Sequence, residues 1–371
     1  MQSEEFEATY NVKDLILYAL AIGFGSTNHG DTEDQLQYLY ERHPRFLPAP
    51  TFCLALQFWA GRGGGNSSTS GLPSFPPPAM MSKNGIIHPT YLKSNVNISR
   101  CPLIHTWQSI VWHRRLPTPP ISLESNSGRV DQVVRTKLYV KTVSITPKDV
   151  GAFVTTETSV ILCEGASKMT LVGAQKQPSP ICTMQSTALV LGAPKDQIIP
   201  YNPFSNKASF ESLSQIPKDV APKLEMTYKV MPNQALLYRL ASGDTNRIHV
   251  DTSAAKMLGK DKKAPLLHGL CTLGIVYRAL SRLINANLGE TIRTLEGRFA
   301  QPVFVNDVLC TRIWEDSGFQ QTGDGRIKSK RYLFVVSNKD SGVTVVDSGV
   351  AVIGCSDSVD PDCRVATRSS L

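Results

Sequence analysis

Several protein classes are excluded by what this sequence lacks. Its eight cysteines include no C-x-x-C pair, and its seven histidines do not sit at zinc-ligand spacing with them. Cys53, Cys101, Cys163, Cys182, Cys271, Cys310, Cys355 and Cys363 are scattered singly, several inside apolar strings such as HGLCTLGI. They read as reduced thiols of an intracellular chain, not as a disulfide framework or a metal module. The longest apolar run, Leu15–Gly25, is about half of what a bilayer crossing requires. The N-terminal MQSEEFEATY has neither the basic n-region nor the apolar h-region of a secretory signal. Charged residues make up only 19%, with a net charge of +8. The denser basic stretches, 256–263 and 326–331, carry no interleaved aromatics, which argues against a nucleic-acid interface. The mild positive field suits a small anionic ligand.

What is present fits a globular chain. With 371 residues, 41% of them hydrophobic, it makes one large domain or two smaller ones. Residues 10–25 read as a helix, with Leu15, Tyr18, Ala19 and Ile22 on one face and Gly23 and Gly25 ending it. Leu36–Tyr40 suits a short helix, and Pro48–Phe58 an extended segment. Residues 61–78, rich in Gly, Ser and Pro, predict a flexible insertion. Val-, Thr- and Ile-rich strands are expected over 131–145, 150–163 and 181–192, then a linker over 193–222. Beyond it, Gln234–Leu240 and Ser253–Leu258 suit short helices. Leu270–Leu288 reads as a long apolar helix, with Leu270, Leu273, Gly274, Tyr277, Leu280, Ile284 and Leu288 near one stripe. Strands over 291–300, 308–314, 331–337 and 343–353 follow. A long apolar helix before an antiparallel sheet is an α+β plan. The first half can repeat that plan, with its helix near 14–25.

Two strings carry candidate chemistry. Tyr238–Ala254 (YRLASGDTNRIHVDTSA) places Asp244, Asn246 and His249 within six residues of one another, after a Ser-Gly-Asp turn. A carboxylate and an imidazole that share a water can work as a general acid–base pair, with Asn246 orienting the water. In Pro265–Gly274 (PLLHGLCTLG), Gly269 opens the long helix, where exposed N–H groups stabilise a negatively charged oxygen. His268 reads as a capping or core residue.

The two strings, in this order, resemble the type-2 enoyl-CoA hydratases, the MaoC-like dehydratase family, whose motif runs aromatic, short spacer, Ser-Gly-Asp, any residue, Asn-Pro, aliphatic, His. Further likeness lies in Tyr10–Gly25, Leu39–Glu41, Pro50–Phe52, Arg298–Val303 (RFAQPV) and Trp314. The resemblance implies a double hotdog: two antiparallel sheets, each wrapped around a long helix, forming a pseudo-dimer within one chain. It implies an N-terminal hotdog over 1–192 that binds the acyl tail and has a degenerate helix, the linker 193–222, and a catalytic hotdog over 223–371. The implied reaction is reversible hydration of trans-2-enoyl-CoA to (R)-3-hydroxyacyl-CoA by Asp244 and His249. Asn246 would help hold the water, and the Gly269 N–H would polarise the thioester carbonyl. The implied substrate contacts are His105, Thr106, Lys148, Thr245, Arg247 and Phe299. The partner is an acyl-CoA thioester; no metal, redox cofactor, nucleic acid or membrane is called for, and a homodimer is left open.

This sequence departs from the family pattern at several points. Arg247 replaces the motif proline, Ala241 adds a residue before Ser-Gly-Asp, and Thr106 stands where the N-terminal half has Gly. The stretch between His249 and Gly269 is long near Lys260–Lys263. These departures leave two other readings open: a dehydratase for a specialised or polyketide thioester in fungal secondary metabolism, and a catalytically idle acyl-thioester-binding protein. The C-terminal Ser369-Ser370-Leu371 echoes the S-K-L peroxisomal address, with the cytoplasm as the other expected location.

Overall fold

A computed structural model describes residues 3–26, 32–59, 87–93, 97–98, 101–119, 133–163, 179–203, 216–217, 219–253, 264–284, 290–317 and 329–355. The expected insertion at 61–78, most of the expected Ser253–Leu258 helix and the Ser-Ser-Leu tail lie outside these residues. Alternation of polar and apolar residues in strand β1 (Glu4–Tyr10) buries Ala8 and Tyr10 and leaves Glu5 and Glu7 outward. Helix α1 (Val12–Ala21) follows at once. Asn11 caps it by accepting from the Asp14 N–H at 3.1 Å, while the Asp14 carboxylate accepts from the Asn11 N–H at 2.9 Å. Next come α2 (Thr32–Leu39), α3 (Cys53–Trp59), β2 (Leu103–Trp112), β3 (Val134–Lys148), β4 (Gly151–Leu162) and β5 (Cys182–Leu191). The second half runs β6 (Leu224–Lys229), α4 (Gln234–Ser242), α5 (Gly269–Leu280), β7 (Glu290–Phe299), β8 (Val308–Glu315), β9 (Lys330–Asn338) and β10 (Thr344–Cys355).

The strands form one ten-stranded antiparallel sheet in the order β1-β3-β4-β5-β2-β7-β10-β9-β8-β6. Each half contributes its first, third, fourth, fifth and second strand, and the two second strands meet at the centre. This is the double-hotdog arrangement, with α3 and α5 in matching positions between the first and second strands of their halves. The seam is β2 against β7, from Trp107↔Arg298 to Val111↔Thr294.

The helices show where the local pattern was insufficient. Pro48–Phe58 is not extended: Pro50–Phe52 forms a 3₁₀ turn and α3 continues it. All seven side chains of α3 are buried, so its run CLALQFW has no polar face to reveal a helical period. The turn is tied down by the Tyr18 hydroxyl donating to the Thr51 carbonyl at 2.9 Å and by the Trp112 indole donating to the Pro50 carbonyl at 3.2 Å. The counterpart of α5 in the first half is therefore the short α3, not the helix near 14–25, which instead packs on α4. The long helix also ends earlier than Leu288. After Leu280 the chain tightens into a 3₁₀ turn at Ser281–Leu283, and the Ser281 hydroxyl takes up the Arg278 carbonyl at 2.8 Å. Strands β1, β2 and β6 correspond to no predicted strand. Two are short edge strands, and β2 is read only once it is paired on both sides.

One hydrophobic cluster spans both halves and holds α1, α3, α4 and α5 together with the sheet. Tyr18 makes ring contacts with Phe52 at 5.5 Å and with Tyr238 of α4 at 5.9 Å. The Gln234 side chain donates to the Ala21 carbonyl and accepts from the Tyr228 hydroxyl at 2.7 Å. Helix α5 comes close to the end of α1 at Gly274, where a Cβ would lie 2.3 Å from the Ile22 Cγ2 and 2.9 Å from its Cβ. Gly274→Ala is therefore expected to lower stability by about 1–3 kcal/mol, despite alanine's better helix propensity. The urea midpoint measures it, and a variant as stable as the wild type would show that α5 can move off Ile22 freely.

Candidate active site

The loop after α4 is wired through its own polar groups. Gly243 adopts φ +77°, a left-handed conformation that favours glycine, and its N–H reaches the Arg239 carbonyl at 2.9 Å. The chain then turns so that the Asp244 N–H meets the Ser242 hydroxyl at 3.2 Å. The Asp244 carboxylate accepts from the Asn246 N–H at 3.0 Å, an Asx turn. Asn246 in turn caps a 3₁₀ turn, Arg247–His249, by accepting from the Ile248 N–H at 3.3 Å. Asn246 has φ −57° and ψ 123°, the extended range into which a following proline would restrict it. The cap thus supplies locally what the motif proline supplies elsewhere. Arg247 extends outward, its guanidinium donating to Asp251 at 2.7 Å. Ala241, the extra residue, is absorbed as a buried position in the last turn of α4.

This loop faces a cavity of about 490 Å³ lined by both halves. Asp244, Asn246, His249, His268, Gly269 and Phe299 line it from the second half. Phe58, Leu103, His105, Ala188 and Leu191 line it from the first. The walls are mainly apolar, and this sets the protonation of the buried groups. Burial pushes the Asp244 carboxyl up to about 7, against the Asn246 N–H and the Arg239 charge. Burial lowers His249 to about 4, opposed by its hydrogen bond to the Leu266 carbonyl. His249 Nδ1 donates to that carbonyl at 3.0 Å, which leaves Nε2 as a proton acceptor. The site therefore holds a neutral imidazole at neutral pH and a carboxyl that keeps its proton far above the usual carboxylate range.

Gly269 is the first residue of α5, where N–H groups have no acceptor within the helix. A Cβ there would lie 3.1 Å from the Phe299 ring, so glycine lets Phe299 close over the helix start. His105 reaches the same place from β2. A bulge between His105 and Trp107 takes Thr106 out of the register with β5. The His105 ring lies edge-on to Phe299 at 5.1 Å, and its Nε2 donates to the Trp107 carbonyl at 2.9 Å. Burial lowers His105 to about 4.

The structure thus brings Asp244, Asn246, His249, Gly269, His105 and Phe299 to one cavity. It does not bring Thr106, Lys148, Thr245 or Arg247 to the lining. The Thr106 hydroxyl donates to the Thr187 carbonyl at 3.0 Å, and Lys148 is exposed at the β3–β4 hairpin. Sequence reasoning assigned His268 to capping or the core. It occupies the N-cap position of α5, but its side chain makes no cap bond and lines the cavity instead. Its string neighbour Gly269 was the available signal.

Asp244, His249 and His268 offer ligand atoms within 4.8 Å of one another, the one group among the described residues that could hold a metal ion. The His268 Nε2 to Asp244 Oδ2 separation is 3.9 Å. Zinc bonds of 2.0–2.1 Å at tetrahedral angles place ligand atoms about 3.4 Å apart, whereas hydrogen bonds of about 2.8 Å to one water span about 4.6 Å. The 3.9 Å separation lies between these two values.

Against known proteins, residues 214–337 match the MaoC like domain and residues 8–88 the MFE-2 hydratase 2 N-terminal domain. The chain is 27% identical over 363 residues to the peroxisomal enoyl-CoA hydratase 2 of Arabidopsis thaliana, covering 96% of this chain and 94% of that protein. It is 28% identical over 315 residues to peroxisomal multifunctional enzyme type 2 of Drosophila melanogaster, covering 82% of this chain but only 41% of that protein. The crystal structure of a MaoC-like dehydratase from Phytophthora Capsici superposes with a TM-score of 0.61 at 24% identity, over 95% of each chain. The full-length Drosophila multifunctional enzyme superposes with a TM-score of 0.59 at 22% identity, covering 94% of this chain and 48% of that one. These two structures share the fold.

The Asp244 shift has a consequence for stability that does not depend on any reaction. Asp244 titrates near 3.8 when unfolded and about 7 when folded, so between these values the folded chain holds a proton that the unfolded chain has lost. The contribution of Asp244 to stability accordingly falls as pH rises from about 4 to about 7 and levels off above, opposite in sign to that of the buried histidines, whose lowered folded values favour the fold as pH rises through this range. Asp244→Asn removes this dependence and is expected to be more stable than the wild type at pH 8 by roughly 2–4 kcal/mol, with the two converging near pH 4. Denaturation midpoints across this range measure the gap; a gap that stays constant with pH would show that Asp244 is not desolvated.

Proposed function

We propose that this chain, an MFE-2 hydratase 2 N-terminal domain followed by a MaoC like domain, catalyses the reversible hydration of trans-2-enoyl-CoA to (R)-3-hydroxyacyl-CoA. The observation that carries this reading is the convergence of Asp244 and His249 on one cavity beside Gly269 at the start of α5. The thioester carbonyl oxygen would point at the Gly269 N–H, where the helix terminus stabilises enolate charge as it develops. Water would add to C3 while C2 gains a proton, so one site group must give a proton and the other take one. Asp244 and His249 have environments that place one near 7 and the other near 4, as such a pair needs. The apolar lining from Phe58, Leu103, Ala188 and Leu191 suits the acyl tail. Hydration is redox-neutral and its proton transfers close on the two side chains, so the reading calls for no cofactor beyond the CoA of the substrate. The names of the relatives support a peroxisomal location.

The test is the loss of enoyl absorbance of crotonyl-CoA and trans-2-decenoyl-CoA, with chiral analysis of the product. Asp244→Asn and His249→Ala are each expected to lower kcat by roughly 10²–10⁴-fold. Full activity in both variants, or an (S) product, would sink the assignment.

The rate should also depend on pH as a bell. Turnover requires one partner protonated and the other not. Below about 4 both carry protons, and above about 7 neither does. Limbs near these values in kcat/KM are expected, whichever of the two acts as acid. A profile flat through pH 7 would exclude Asp244 from the titrating pair.

A further inference from the structure

His268 is a buried imidazole that the reaction above does not use, and its surroundings are unusual. It is 2% exposed, and neither ring nitrogen makes a hydrogen bond of regular geometry, its contact with the Asp244 backbone being an irregular one. An unsatisfied buried polar group is costly, so such nitrogens call for an occupant. The ring stacks on His249 with centroids 3.6 Å apart and planes at 23°, and its other side meets Tyr238 at 4.9 Å. Its Nε2 lies 3.9 Å from Asp244 Oδ2, too far for a direct bond and right for two groups that share one small molecule.

The distances let one small molecule reach all three groups. The ligand atoms of Asp244, His249 and His268 all lie within 4.8 Å of one another. Any three points so placed have a common point no more than about 2.8 Å from each, which is the length of a hydrogen bond to a water oxygen. All three residues line the same cavity, and Gly269, the expected carbonyl donor, directly follows His268 in the chain.

We infer that His268 is a third catalytic group, which holds the reacting water together with Asp244 and His249. This rests on the hydratase reading. A neutral imidazole at 268 would accept one hydrogen of the water through its free nitrogen, while Asp244 or His249 takes the proton released on attack. The oxygen forms its bond to C3, the C2–C3 π pair becomes the enolate, and the remaining group of the pair returns a proton to C2. His268 ends as neutral as it began, so it orients the nucleophile without taking part in the proton balance. The same residue carries the N-cap of α5, so the water and the carbonyl donor are held by adjacent positions of one chain segment.

The experiment compares wild type, His268→Gln, His268→Phe and the Asp244→Asn control on crotonyl-CoA, with melting curves for each. His268→Phe keeps a flat ring against His249 but has no nitrogen. It is expected to lose about 10–100-fold in kcat with KM within about threefold. His268→Gln lacks the ring but keeps a polar atom, and is expected to stay within about tenfold of wild type. A folded His268→Phe with wild-type kcat would overturn the inference and leave His268 as a stacking platform. Should the Phe variant fail to fold, the Gln variant decides: a loss beyond tenfold overturns the inference, and a smaller loss supports it. A wild type that hydrates neither crotonyl-CoA nor trans-2-decenoyl-CoA overturns the hydratase reading itself, and this inference with it.

Discussion

The pairing of β2 with β7 is the constraint on which the rest depends. Each half alone is a five-stranded sheet with an exposed edge at its second strand, and an open edge of unpaired N–H and C=O groups invites association. Pairing Trp107 to Val111 against Arg298 to Thr294 removes both edges at once. It also brings the ends of β2 and β7 together, so that His105 and Phe299 touch across the boundary. The cavity is therefore a property of the joined halves. Asp244, His249, His268 and Gly269 come from one side of the seam, and His105 and much of the apolar wall from the other.

That apolar wall governs the chemistry. Asp244, His249, His268 and His105 share a space where charge is poorly solvated, and burial moves each toward its neutral form. The Asp244 shift destabilises the fold at neutral pH and the histidine shifts do so below about 6.5, so the core must offset them. The large shared hydrophobic cluster, with α5 buried on nearly every side, supplies that reserve. In the loop that carries Asp244, Gly243 accepts the left-handed turn and Asn246 caps the next one. Arg247 illustrates how such a loop tolerates change. The backbone angles that a proline would impose are held by a side-chain hydrogen bond, and the arginine is free to extend into solvent.

The parts of the molecule legible from sequence were those whose signals are local. Alternation and β-branching located β3, β4, β5 and β7 to β10 to within a few residues. The amphipathic face of α1 and the apolar run of α5 were equally plain. Pro50–Trp59 was not, because a segment buried on every side carries no period. Strand β2 escaped for a related reason: its bulge at Thr106 interrupts the alternation at the point where it turns His105 inward.

The candidate site divides in the same way. The sequence alone determined which groups could do chemistry: Asp244 and His249 on one short loop, and Gly269 at a helix start, are close in the chain and declare themselves through turn and capping preferences. Only the tertiary structure decided who joins them. His105 and Phe299 come from strands nearly two hundred residues apart, and the stacking of His268 on His249 depends on how α5 enters beneath the loop. Local propensity acts over a few residues, whereas burial, and the pKa shifts that burial produces, are set by every element that closes around a group.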